Sequence, residues 1–183
     1  MTRLPLLTDD QVGPPDLVAS IRARRGGDLL ALDRLLLHSP PFATGWNELM
    51  GRVRGALGVP PLLRELAMCG VAALTGAEFE LFHHAPLYLA AGATPDQLAA
   101  LRRLGEAADP DISNPADDPA FDADQRAVLA LVVQMTRQVQ VDDAIFASAR
   151  AVLGSDQAMF EIVAVIASYN MVARMLVALK LEP

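Results

Sequence analysis

The sequence predicts an all-α fold of about eight helices, and three observations predict it. Apolar residues recur at helical spacing, and few segments show the period-two alternation of strands. Helix start and stop signals are abundant along the chain. At 183 residues, 52% of them hydrophobic, the chain can build one sizeable core.

Leu29 to His38 reads as a short helix stopped by Ser39-Pro40-Pro41. A second runs from about Ala43 to Leu57 and ends near Gly58. Pro60-Pro61 opens a third, because proline is tolerated in the first turn. Its apolar positions Leu62, Leu66, Ala67, Val71 and Leu74 keep helical spacing until Thr75-Gly76 ends it. The fourth carries Glu80 and His84 and stops at Gly92. Thr94-Pro95-Asp96-Gln97 then combines a Thr cap, a first-turn proline and a glutamine three residues after the cap. Asp109 to Pro119 is rich in Asp and Pro and reads as a connecting loop. Asp122 with Gln125 opens the next helix, to about Val139. Asp142 caps another that stops at Gly154, and Ser155 caps the last, to about Lys180. The organisation expected is one domain over 1–183: an N-terminal extension (1–39), a core hairpin region (40–106) and C-terminal helices (120–183).

Net charge is −7, and no Lys/Arg run exists beyond Arg22, Arg24 and Arg25, which argues against nucleic-acid binding. The single cysteine, Cys69, excludes an intrachain disulfide and any CxxC redox or zinc motif, and suits a reducing cytoplasm. Met1 to Gly13 lacks the apolar core of a signal peptide. Met159 to Leu179 approaches membrane-spanning length but carries Glu161, Ser168, Asn170 and Arg174, each costly in lipid. It reads as a buried helix, not a membrane span. A mean hydropathy of +0.29 is high for a soluble monomer, so part of the apolar surplus is assigned to a subunit interface. A homo-oligomer is expected.

The chemistry concentrates in one hairpin. Glu65, Glu80 and His84 are acid/base-capable groups among apolar neighbours, where an unpartnered carboxylate is costly and an imidazole is a natural partner. Glu80 and His84, four residues apart on one helix, share a face. The short Thr75-Gly76 turn brings Glu65 back toward that face. A buried Glu–His pair that only fixes the hairpin is the plainer reading of any single pair; three such groups together favour a proton-transfer site. His83 lies about 100° around the helix from His84, so the two rings have different jobs. Glu80-Leu81-Phe82-His83 has the E-x-x-H spacing of di-iron bundles, but His38 supplies no second copy, so no metal is expected within one subunit; a site shared across a symmetric interface stays open. Cys69, one turn after Glu65, reads as a small hydrophobe, and the neighbouring carboxylate would raise its thiol pKa. On the last helix Tyr169, Asn170 and Arg174 stand in apolar context; Arg174 is nominated to clamp a substrate carboxylate, with an ion pair as the plainer role. Trp46 and Asn47 are candidate pocket-lining residues, with packing the simpler role for Trp46.

These residues resemble the carboxymuconolactone decarboxylase family, which shares its fold with alkylhydroperoxidase D. The resemblance rests on Arg64-Glu65-Leu66, then Thr75-Gly76-Ala77-Glu78-Phe79-Glu80 with His83-His84, then Ala91-Gly92 and a helix cap, supported by Tyr169-Asn170-Met171-Val172-Ala173-Arg174. It covers roughly Pro40 to the C-terminus. It implies an alkylhydroperoxidase D-like helical fold with a central antiparallel hairpin and a cytoplasmic, cofactor-independent homo-oligomer. The peroxidase branch carries C-x-x-C-x-x-x-H with a glutamate one helix earlier. On this chain that glutamate falls on Glu65 and the histidine on His84, while the two cysteine positions hold Ala77 and Glu80. Dithiol peroxidase chemistry therefore lacks both sulfurs. The decarboxylase-like branch has a glutamate at the position of Glu80, and its named member converts a carboxylated muconolactone to an enol lactone. The expectation is an acid/base enzyme for a small carboxylated or lactone substrate. His84 would transfer the proton, Glu80 orient it and Glu65 relay, while Arg174, Tyr169, Trp46 and His83 contact substrate. The alternatives are a peroxidase using Cys69 and a non-catalytic oligomeric binding protein.

Overall fold

The computed structural model describes residues 2–106 and 118–183. Nine helices and no strand occur among the described residues: α1 (Pro15–Arg25), α2 (Ala31–Leu36), α3 (Pro40–Gly55), α4 (Pro61–Thr75), α5 (Glu78–Ala90), α6 (Pro95–Glu106), α7 (Ala123–Arg137), α8 (Asp143–Leu153) and α9 (Asp156–Leu179). The expected loop from Asp109 falls almost entirely outside the described residues.

The chain divides into two compact units. The first comprises residues 1–57 with 178–182. In it α3 packs against both α1 and α2. Pro40 and Pro41 were expected to end a helix; they also form the first turn of α3, where proline's missing N–H costs nothing. Its interior holds Ile21, Leu32, Leu36, Trp46 and Met50. Asp33 is buried there and is matched bidentately by Arg25, with two N–H···O bonds of 2.9 Å.

The second unit, 58–177, is built around α4, which packs against α5, α6 and α7. Ten residues of α4 are buried, including Leu66, Met68 and Val71. Burial of each large apolar side chain contributes roughly 1.5–3 kcal/mol. Gly76 stops α4 in a left-handed conformation (φ 67°) that glycine adopts without steric cost, and Ala77 N–H returns to Ala72 O at 2.9 Å. That tight reversal lays α5 back along α4 as the expected antiparallel hairpin.

Two capping boxes form as read. Thr94 Oγ1 accepts from Gln97 N–H, and Asp122 Oδ1 accepts from Gln125 N–H. The two glutamines also meet, Gln97 Nε2 donating to Gln125 Oε1 at 2.8 Å, which ties the start of α6 to the start of α7. Asp142 departs from its expected role. Its carboxylate accepts from Gln134 Nε2 at 2.7 Å and makes no cap bond to α8. α7 ends at Arg137, short of Val139, which takes φ 67°, a conformation β-branched residues rarely adopt. α9 is the described helix long and apolar enough to cross a membrane by length and composition. Its buried residues Ile162, Val165, Ile166, Tyr169, Val172 and Ala173 repeat at helical spacing, the pattern of one face against a protein interior.

Candidate functional site

Three helices of the second unit converge on one imidazole. α4 supplies Glu65, the middle of α5 supplies His84, and α9 supplies Tyr169. Glu65 Oε2 lies 2.7 Å from His84 Nδ1, and Tyr169 Oη lies 2.9 Å from His84 Nε2. The phenol ring meets the imidazole edge-on, with centroids 5.0 Å apart. All three side chains are buried. Both ring nitrogens are therefore engaged, and the partners fix the proton positions. With Glu65 ionised, Nδ1–H donates to the carboxylate, and Nε2 accepts from the Tyr169 hydroxyl. A carboxylate, an imidazole and a hydroxyl in series form a proton-relay arrangement, the base oriented by a third group.

Glu80 is also buried, at the third position of α5, where the partial positive charge of the helix start favours a carboxylate. The bond to His84 Nδ1 is made across the hairpin by Glu65. Cys69 is fully buried, and its thiol pKa is pushed up, first by burial and then by the charges of Glu65 and Glu80. The two acidic groups thus both bear on the space beside Cys69. Tyr88 is likewise fully buried; burial, then the neighbouring Cys69 and Asp122, push its phenol up, and its hydroxyl has no hydrogen-bond partner.

These two shifts set an alkaline limit on stability. The ordinary values are 9.0 for the thiol and 10.0 for the phenol. Above pH 9 the unfolded chain releases the Cys69 proton while the folded chain holds it. The unfolded state then binds fewer protons, and stability present below that pH falls as pH rises, by roughly 1.4 kcal/mol per pH unit for Cys69. Urea unfolding across this range should show the decline, and Cys69→Ala should remove its first part. An identical pH slope in the variant would refute the assignment.

The remaining predicted residues make contacts of their own. His83 is half-buried and packs edge-on to Phe79 and Phe82, with centroids 4.5 and 5.3 Å away. Arg174 is exposed and donates to the carbonyl and side-chain oxygens of Asn170, one turn back, at 3.0 and 2.8 Å. It stands about 140° around α9 from Tyr169. Asn170 itself donates to Thr136 on α7 at 3.1 Å. Trp46 belongs to the first unit, where it is buried against Phe42. Two further features escaped the sequence reading. One is that Tyr169 bonds His84 directly. The other is that Arg64 lies beside Glu65, its Nε 3.9 Å from Oε1. Neighbouring positions on a helix gave no signal of that proximity. Among the described residues no group of three or more His, Cys, Asp or Glu is placed to hold a metal ion.

An all-helical unit with a carboxylate–imidazole pair across its central hairpin is the arrangement that the resemblance to the carboxymuconolactone decarboxylase family implies. Residues 40–111 match the Carboxymuconolactone decarboxylase family. The fold is shared with an uncharacterized peroxidase-related protein from Silicibacter sp. TM1040. That crystal structure is 19% identical, with a TM-score of 0.69, and the alignment covers 100% of this chain and 91% of the other. No curated protein matches the sequence.

Proposed function

We propose that this protein is a cofactor-independent acid/base enzyme acting on a small carboxylated or lactone substrate. The observation that carries the reading is the buried series Glu65–His84–Tyr169, continuous at 2.7 and 2.9 Å. In the decarboxylation form, the bond to the substrate carboxylate breaks and carbon dioxide leaves. The electron pair moves into a conjugated carbonyl, and a proton is then delivered to carbon. Tyr169 gives its hydroxyl proton to carbon and is left as a phenolate; a proton from solvent taken up at Nε2 is passed on to restore the hydroxyl, and Glu65 stabilises the imidazolium that exists while Nε2 carries that proton. Glu80 adds a second buried acid near the same space. Isomerisation of a double bond beside a carbonyl needs the same proton movements.

A peroxidase reading has one observation in its favour, the name of the structural neighbour. Against it stand a single sulfur and a thiol held protonated, whereas the thiolate is the nucleophile. The deciding experiment gives purified protein a carboxylated lactone, following carbon dioxide release, and separately an alkyl hydroperoxide with a dithiol reductant. The lactone should be consumed and the hydroperoxide left, with Cys69→Ser unchanged in both. Hydroperoxide consumption lost in Cys69→Ser would overturn the reading.

We further propose a cytoplasmic homo-oligomer. Phe160 is 74% exposed and Phe82 59%, and Phe146, Met159, Phe160 and Val163 line an apolar hollow of about 340 Å³ between α8 and α9. Light scattering that returns the 19.5 kDa monomer would remove this part.

A further inference from the structure

We propose that Arg64 is the residue that holds a carboxylate of the substrate beside the Glu65–His84–Tyr169 series. The proposal rests on the proton-transfer reading of that site. Arg64 stands at the fourth position of α4, the positive end of the helix dipole, where a cation is electrostatically disfavoured. Its Nε is buried and has no hydrogen-bond partner. An orphaned buried donor costs about 1–3 kcal/mol, and more when charged. The Glu65 carboxylate offsets part of this, but at 3.9 Å from Oε1 it is beyond hydrogen-bond reach and is already committed to His84 through Oε2.

Helix stability therefore does not account for arginine at this position, and neither does the ion pair alone. Ligand binding does. A planar guanidinium presents paired donors that match a carboxylate, and the positive helix end adds to the attraction. Arg64 also keeps 16% of its side chain in solvent, against 9% for Glu65 and 3% for His84. Of these three side chains it is the most exposed. A carboxylate held by the guanidinium would lie at the Glu65 end of the series, with the positive charge of Arg64 between it and the Glu65 carboxylate.

The test uses cis,cis-muconate as probe, with its dimethyl ester as the uncharged comparison, titrated calorimetrically into the full-length protein. Wild type should bind the dicarboxylate saturably. Arg64→Met should weaken it at least tenfold and leave any ester binding unchanged, and Arg64→Lys should lie between. A residue that merely neutralised Glu65 would alter the NMR pH titration of His84 without this charge-selective loss. Circular dichroism confirms folding, and Arg64→Gln replaces Arg64→Met if the latter is unfolded. Equal dicarboxylate affinity in wild type and variant, or no saturable binding by wild type, overturns the proposal. Failure of the proton-transfer reading looks different: His84→Ala would then turn over normally while the Arg64 effect on muconate binding persisted.

Discussion

His84→Ala is expected to lower turnover of a carboxylated lactone by about 10²–10⁴-fold, the range that positioned proton transfer contributes. The imidazole is the middle of the relay, so its removal separates Glu65 from Tyr169 entirely. Neither neighbour can substitute. Glu65 lies on α4 and Tyr169 on α9, each held by its own helix, and the cavity left by the ring interrupts proton exchange between them. Part of any loss could be confused with unfolding, since two buried polar groups would be left without this partner, at about 1–3 kcal/mol each. Two milder variants separate the effects. Tyr169→Phe keeps the Glu65–His84 pair and removes only the hydroxyl at Nε2, so it should lose activity while retaining the fold. Glu65→Gln keeps an acceptor for Nδ1–H but removes the charge that stabilises the imidazolium, and should be intermediate. The measurement is kcat for each variant beside its melting temperature. Wild-type kcat in a folded His84→Ala would end the mechanism.

The sequence made the second unit legible and left part of the first hidden, for physical reasons. Thr94 with Gln97 and Asp122 with Gln125 announce helices because the capping bonds are local, made within three residues. α1 gave no comparable signal. It buries only Ile21, so no apolar stripe repeats along it, and Pro14-Pro15 with a left-handed Gly26 define its ends instead. Asp142 looked like a cap because aspartate caps on average, yet Gln134 competes for its carboxylate from the preceding helix. At the site, the hairpin spacing was enough to place Glu65 near His84. It was not enough to rank Glu65 against Glu80, since that depends on how far α4 slides along α5. Tyr169, 85 residues away in sequence, entered the relay through tertiary packing alone. Arg174 was nominated as a cation in apolar context, and its guanidinium is bonded to Asn170, one turn back on α9.

A large stability loss without any change at the candidate site is expected at Gly105→Ala. α6 crosses α4 so closely at this point that a Cβ on residue 105 would lie 2.3 Å from Ala73 O and 2.7 Å from Ala73 C. These are backbone atoms in the last turns of a buried helix, which cannot rotate aside as a side chain would. Relief requires α6 to move away from α4 or to unwind its own final turn. Forced overpacking of this kind costs about 1–3 kcal/mol and sometimes more. Alanine's better helix propensity returns at most about 1 kcal/mol, and less at the penultimate position of α6. Sterics win, and the net change should be a loss of about 2 kcal/mol or more, which for a chain of this size lowers the melting temperature by roughly 4–8 °C. Gly45→Ala is the control. It sits inside α3 with nothing within 4 Å of the added Cβ, so the propensity term acts alone and the protein should gain about 0.5–1 kcal/mol. Thermal unfolding of the two variants should therefore shift in opposite directions from wild type. A melting temperature for Gly105→Ala at or above wild type would show that the two helices have room to separate, and that the close crossing of α4 and α6 is not what holds them in register.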